Sequence, residues 1–124
     1  MREKPKRVLI VEDEKPIAKA LELKLTKAGF EVATAFNGEI ALMLVRKGKF
    51  DMIVLDLVMP KIDGFAVLRE LRSRKAKIPV IVMSNLGQAE DMTRARDLGA
   101  REYFVKSDTT IADVVERVKT ALRP

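Results

Sequence analysis

Five short strand-like runs punctuate this chain, and an amphipathic stretch follows each one. The runs are Val8 to Val11, Glu31 to Ala35, Met52 to Leu55, Val80 to Met83 and Glu102 to Val105. Each is too short for an ordinary helix, and between them apolar residues recur at helical spacing. A helix is predicted over Lys15 to Ala28, with Ile17, Leu21, Leu25 and Ala28 on one face and Gly29 as its C-cap. Asn37 caps a second, with Ile40, Ala41, Leu44 and Val45 inward, and Gly48 stops it. Asp63-Gly64 opens a third, whose inner stripe is Phe65, Leu68 and Leu71. A fourth covers about Ala89 to Leu98 and ends at Gly99, with a thin stripe of Met92, Ala95 and Leu98. Ile111, Val114, Val115, Val118 and Leu122 mark the last.

Strand then helix, five times over, predicts a parallel sheet covered on both faces. Right-handed crossovers reduce the choices to a doubly wound three-layer α/β sandwich. A length of 124 residues suits one domain, spanning 1–124 with a basic tail at 1–6, and no linker interrupts it.

In such a sheet, ligands bind outside the carboxyl ends of the strands. The residues that follow each run therefore matter most. Glu12, Asp13 and Glu14 follow the first, Asp56 the third, Ser84 and Asn85 the fourth, and Lys106 and Ser107 the fifth. Only Phe36 and Asn37 follow the second. Carboxylates gathered at one sheet edge repel each other unless a hard divalent cation joins them. Magnesium favours such oxygens. A cation and a lysine beside one carboxylate also suit a phosphoryl group, with a hydroxyl to bond one of its oxygens. Simpler readings exist: the three acids suit a helix N-terminus, and Asp56 alone fits an ordinary loop. Complementary chemistry from four strand ends favours the joint reading.

Composition narrows the chemistry further. The chain has no Cys and no His, which removes disulfides, thiolate or imidazole metal ligands and Ser-His catalysis. Asp56 is then the best-placed nucleophile for covalent phosphate. No apolar run approaches a membrane span, and MREKPKR leads into too few apolar residues for a signal peptide. A soluble, cytoplasmic protein is expected. The net charge is +6, but the basic residues are spread along the chain. The densest group, from Arg69 to Lys77, has no interleaved aromatics, so direct nucleic-acid binding is not expected.

The segments VLIVEDE, DMIVLDLVMPKIDG, IPVIVMSN and LGAREYFVK resemble the receiver domain of bacterial two-component response regulators, the fold of the chemotaxis protein CheY. The resemblance covers essentially the whole chain, and DLVMPKIDG is its most specific segment. It implies a flavodoxin-like sheet of order 2-1-3-4-5. It also implies that Asp56 is the phosphoacceptor and that Asp13 binds magnesium directly, with Glu12 acting through water. The backbone carbonyl of Val58 completes the implied metal ligands. Ser84 matches the hydroxyl residue that follows the phosphate, and Lys106 the lysine that pairs with acceptor and phosphoryl oxygens. Tyr103 matches the aromatic residue that swings inward as the switch closes. A histidine kinase or phosphotransfer protein is the implied donor. The face of helix four, strand five and helix five is the implied output surface. The chain is then a phosphorelay switch rather than a turnover enzyme, limited to its own phosphorylation and dephosphorylation.

Three departures follow from the same likeness. The family has Lys-Pro with a cis bond where this chain has Lys106-Ser107, so the peptide is either cis and strained or trans in a differently shaped loop. Val58 and Leu86 are apolar where the family flanks the hydrolytic water, so slow self-dephosphorylation is expected. No output domain follows helix five before Pro124, which leaves a stand-alone receiver or part of a longer regulator, with a protein target or an output domain beyond. Glu102, Arg94 and Arg117 suggest a symmetric dimer through that output face. A competing reading keeps the fold only, as a phosphate-independent interaction module. A phosphatase would want an acid at position 58. A flavin site would want Ser, Thr and Gly, not acids, after the first strand.

Overall fold

The computed structural model describes residues 4–123. Residues 1–3 of the expected basic tail lie outside them. The strands are β1 (Arg7–Val11), β2 (Glu31–Ala35), β3 (Met52–Leu55), β4 (Val80–Ser84) and β5 (Glu102–Val105). The helices are α1 (Lys15–Lys27), α2 (Gly38–Lys47), α3 (Gly64–Ser73), α4 (Ala89–Asp97) and α5 (Ile111–Ala121). All strands pair in parallel, in the order β2-β1-β3-β4-β5. This is the doubly wound flavodoxin-like sandwich.

Successive side chains of a strand point to opposite faces. In β1, β3 and β4 every position except Arg7, at the start of β1, and Ser84, at the end of β4, is therefore apolar, because both faces are covered. Leu9, Val11, Ile53, Leu55 and Val82 join a core with α2, α3 and α4. Val8, Ile10, Met52, Val54, Ile81 and Met83 join a second core with Leu21 and Leu25 of α1 and Val114 and Val118 of α5. Register runs Val11↔Leu55 and Leu55↔Val82, so the carboxyl ends of the three central strands finish close together.

The helix ends follow local chemistry. The Asn37 side chain accepts from Ile40 N at 2.9 Å, and Asp63 accepts from Ala66 N at 3.0 Å. Thr110 and Asp113 form a reciprocal capping box for α5. Gly29 sits one residue beyond the α1 C-cap, which is Ala28, at φ +102°, a conformation that favours glycine.

Three predicted stripes change. In α2 the buried side chains are Ala41, Leu42 and Val45, while Ile40 is exposed and Leu44 half-buried. Residues 40–45 are all apolar, so periodicity cannot select a face. Docking selects it: a Cβ at Gly38 would collide with the Ile62 carbonyl, so α2 starts hard against that backbone. In α1, Ala28 is exposed, because it lies past the last helical turn. The α4 stripe is thinner than predicted, with Ala95 alone fully buried.

Candidate functional site

The site is assembled where backbone bonds extend the sheet past its strands. Asp56 N donates to the Val11 carbonyl at 2.9 Å, and Glu12 N to the Ala35 carbonyl at 2.9 Å. These bonds fix Glu12 and Asp56 side by side. Glu12 is 1% exposed, Asp56 4% and Ser84 0%. They are the only buried polar or charged residues among those described. Burying a carboxylate is costly unless it is paired, and all three lie at one edge of the sheet.

Lys106 supplies the pairing. Its Nζ is 2.9 Å from Asp56 Oδ2, 2.9 Å from Glu12 Oε1 and 2.6 Å from Glu14 Oε2. The remaining Asp56 oxygen, Oδ1, accepts from Val58 N at 3.1 Å. Among the described residues no peptide is cis, so Ser107 is trans. A single 3-10 turn, Lys106–Asp108, takes the place of the cis-proline loop and still delivers the lysine to Asp56.

One ammonium faces three carboxylates. Burial raises the Glu12 pKa to about 7, against the opposing pull of Lys106 and of the Glu14 N–H, while the Asp56 charge adds to the rise. Burial pulls the Lys106 ammonium down, yet its hydrogen bonds to Glu12, Glu14 and Asp56 outweigh that and hold it above its ordinary value. The lysine is therefore charged.

Glu12, Asp13 and Asp56 each offer one carboxylate oxygen, and those oxygens lie within 4.8 Å of one another. Although Lys106 is close to Glu12 Oε1, that oxygen receives no well-aligned hydrogen bond. A buried, under-satisfied carboxylate oxygen beside two more carboxylates fits a hard divalent cation.

Ser84 ends β4, and its Oγ accepts from Leu86 N at 3.3 Å. Tyr103 lies on the neighbouring strand, β5, half-buried against the core of α2–α4. Its hydroxyl donates to the Leu86 carbonyl at 2.5 Å. Burial raises the Tyr103 pKa, as do the Asp91 and Asp56 charges, with the Ser84 hydroxyl acting against them. Leu86 thus ties Ser84 and Tyr103 together through its backbone. The Val58 side chain is exposed beside Asp56.

The sequence-derived residues Glu12, Asp13, Asp56 and Lys106 converge, with Ser84 and Tyr103 linked through Leu86. Three participants were not assigned from sequence. Glu14 is the third acid of its run, and nothing in the run tells which acid turns toward a lysine 92 residues away. The Leu86 carbonyl is backbone and carries no side-chain signal. Gly64 lies under Asp56: a Cβ there would collide with the Asp56 carbonyl and sit 2.7 Å from Leu57 Cα. The Asp63-Gly64 pair was legible as a helix start, but not as the floor of the site. All three charges considered for a dimer are engaged within the chain: Arg117 pairs with Glu102 at 2.9 Å, and Arg94 stacks on Phe65 at 4.0 Å.

Comparison with known proteins agrees with this geometry. The response regulator receiver domain model matches residues 8–119. A relative from Porphyra purpurea, named a probable transcriptional regulator, ycf27, is 38% identical over 99% of this chain and 50% of its own length. The chain thus spans about half the length of the curated relatives it matches. The Francisella response regulator 1452 receiver domain superposes with a TM-score of 0.86 at 32% identity, covering 93% of this chain and 94% of that one. TrrA of Thermotoga maritima, solved in complex with magnesium and beryllium fluoride, gives a TM-score of 0.81 at 35% identity, covering 94% and 99%. With a family match over most of its length and the site at the expected strand ends, the chain belongs to the response regulator receiver domains of two-component systems.

Proposed function

We propose that this domain is the phosphoacceptor of a phosphorelay, with Asp56 as the nucleophile. The observation that carries this reading is the setting of Asp56: a buried carboxylate at a strand end, held by Lys106 and Val58 N, beside two further acids. A carboxylate oxygen of Asp56 attacks the phosphorus of a phosphohistidine on a histidine kinase or phosphotransfer protein. The P–N bond breaks, its electron pair stays on the imidazole nitrogen, and an acyl phosphate forms on Asp56. Lys106 shifts its contact to a phosphoryl oxygen, and the Ser84 hydroxyl bonds another. Glu12, Asp13, Asp56 and the Val58 backbone carbonyl would hold a magnesium ion. When bound, the ion neutralises charge on the phosphoryl oxygens.

Tyr103 and Ser84 form the switch. Both meet the Leu86 backbone, so a phosphoryl oxygen that draws Ser84 toward it also disturbs the Tyr103 contact. The response spreads to α4, β5 and α5, whose thin packing at α4 resists it least. The downstream partner is a protein target, or an output domain such as the curated relatives' extra length allows. The protein works in the cytoplasm, catalyses no turnover reaction and slowly loses its own phosphate. No helix of the described residues is long and apolar enough to cross a membrane.

The test is mass spectrometry after incubation with acetyl phosphate and magnesium. One added phosphate is expected, absent without magnesium and absent in Asp56→Asn. Full labelling of Asp56→Asn overturns the assignment, and failure of the parent to label favours a phosphate-independent module.

A further inference from the structure

The edge of the sheet opposite the phosphorylation site carries most of the positive charge of the protein. In a parallel doubly wound sheet every helix C-terminus and strand N-terminus meets at that edge. The segments there are 4–7, 24–31, 46–51, 70–79, 96–102 and 119–123. They hold sixteen of the 24 Lys and Arg, but only five of the 18 Asp and Glu. The rest of the described residues hold seven basic and twelve acidic side chains, so the molecule is strongly polarised. Along the chain these charges look scattered; the fold gathers them.

Helix dipoles do not account for the excess. Each helix C-terminus carries roughly half a negative charge, so five call for about two to three cations. The edge has a surplus of eleven. The surplus is densest over β1, β3 and β4, where segments 4–7, 46–51 and 70–79 place ten basic residues against Asp51 and Glu70. Both of those acids are engaged: Asp51 accepts from Arg7 N at 2.8 Å, and Glu70 takes two bonds from Arg46. Lys6, Lys49 and Lys77 are exposed and form no ion pair among the described residues.

We propose that this edge binds the phosphodiester backbone of nucleic acid without reading sequence. Charge complementarity supports that partner. Five strands span about 20 Å, and duplex DNA presents roughly a dozen phosphates over that length. The face also lacks what other polyanionic partners would use. Protein interfaces need apolar or aromatic anchors at their centre. The exposed large apolar residues Leu23, Phe36, Ile40, Met43 and Val58 all lie outside these segments. The inference is independent of phosphorylation at Asp56.

The experiment is fluorescence anisotropy of labelled DNA duplex and RNA duplex with the whole protein at about 50 mM salt. Binding to either is expected, weakening roughly 100-fold by about 200 mM salt if four phosphates are contacted. The triple variant Lys6→Glu, Lys49→Glu, Lys77→Glu should lose at least tenfold in affinity, with its urea midpoint confirming the fold. If it does not fold, the same three positions as Gln serve. Lys15→Glu, Lys19→Glu, Lys61→Glu removes equal charge elsewhere and should lose less than threefold. Equal loss in both variants, no binding at low salt, or binding only to polyglutamate or anionic vesicles overturns the proposal.

Discussion

The Lys106 ammonium lies 2.9 Å from Asp56 Oδ2, with both side chains nearly sealed from solvent. The same ammonium also neutralises Glu12. Lys106→Met therefore strands two buried carboxylates, a change that costs about 3–5 kcal/mol when both are ionised. In metal-free buffer at pH 8 the urea midpoint should fall accordingly. At pH 5 the loss should shrink, because Glu12 takes a proton. A variant as stable as the parent at pH 8 contradicts the ion-pair geometry.

Glu12 sets a pH dependence of its own. Its carboxyl titrates near 7 in the folded protein against 4.5 for the free group. Between those values the folded state holds a proton that the unfolded state has lost. The contribution to stability is therefore full below about 4.5 and declines as pH rises through 7. The ceiling is about 3 kcal/mol, with the opposing pull of Lys106 already included in the raised value. Glu12→Gln should flatten this slope in chelator-treated protein. Magnesium at pH 8 should restore part of the lost stability in the parent and less in the variant. Urea midpoints across pH measure both, and a parent whose stability rises from pH 5 to 8 without metal refutes the assignment.

Gly64 forms the floor of the site. Gly64→Ala drives a methyl into the Asp56 carbonyl and against Leu57 Cα, both backbone atoms that cannot rotate away. A loss of about 1–3 kcal/mol is expected from overpacking, along with slower labelling of Asp56 by acetyl phosphate. Gly87→Ala is the comparison. Its Cβ would meet only Val105 side-chain carbons at 3.8 and 3.9 Å, so melting temperature and labelling should change little. Equal behaviour of the two variants would mean that the loop beneath Asp56 tolerates displacement.

What the sequence made legible followed from its strongest constraints. Strands buried on both faces have no freedom to be polar, so β1, β3 and β4 could be read almost to the residue. The chemistry at their carboxyl ends was legible for the same reason, since Glu12, Asp56 and Ser84 are the places where an apolar strand turns polar. Where several answers satisfied the pattern, tertiary contact decided. The six apolar residues of α2 could bury either Ile40 or Leu42, and the approach of Gly38 to Ile62 chose Leu42. Ser107 left two loop shapes open, and the trans 3-10 turn proved long enough for Lys106 to reach Asp56. The pairing of Glu14 with Lys106 and the massing of charge at one edge depend on which loops become neighbours, which no local pattern reveals.

The lifetime of the phosphorylated state should reflect Val58 and Leu86. Hydrolysis of an acyl phosphate needs a water aligned behind the phosphorus, and a polar side chain that orients or deprotonates it accelerates the step. Val58 is 54% exposed, next to the Asp56 carboxylate that its own N–H contacts at 3.1 Å. It is well placed to act on that water but has no group to act with. Leu86, half-buried on the other side, is equally inert and spends its backbone groups on Ser84 and Tyr103. Phosphate on Asp56 should therefore outlast the seconds timescale at room temperature once the donor is removed. Val58→Asn should shorten it severalfold, because the amide can hold the water, while Val58→Ala should not. Because the side chain is largely in solvent, neither change should move the unfolding midpoint by more than about 0.5 kcal/mol. Loss of label followed by mass over time distinguishes the cases. Decay of the parent within seconds, or equal decay in the Asn and Ala variants, would show that water reaches the phosphate by a route that position 58 does not control.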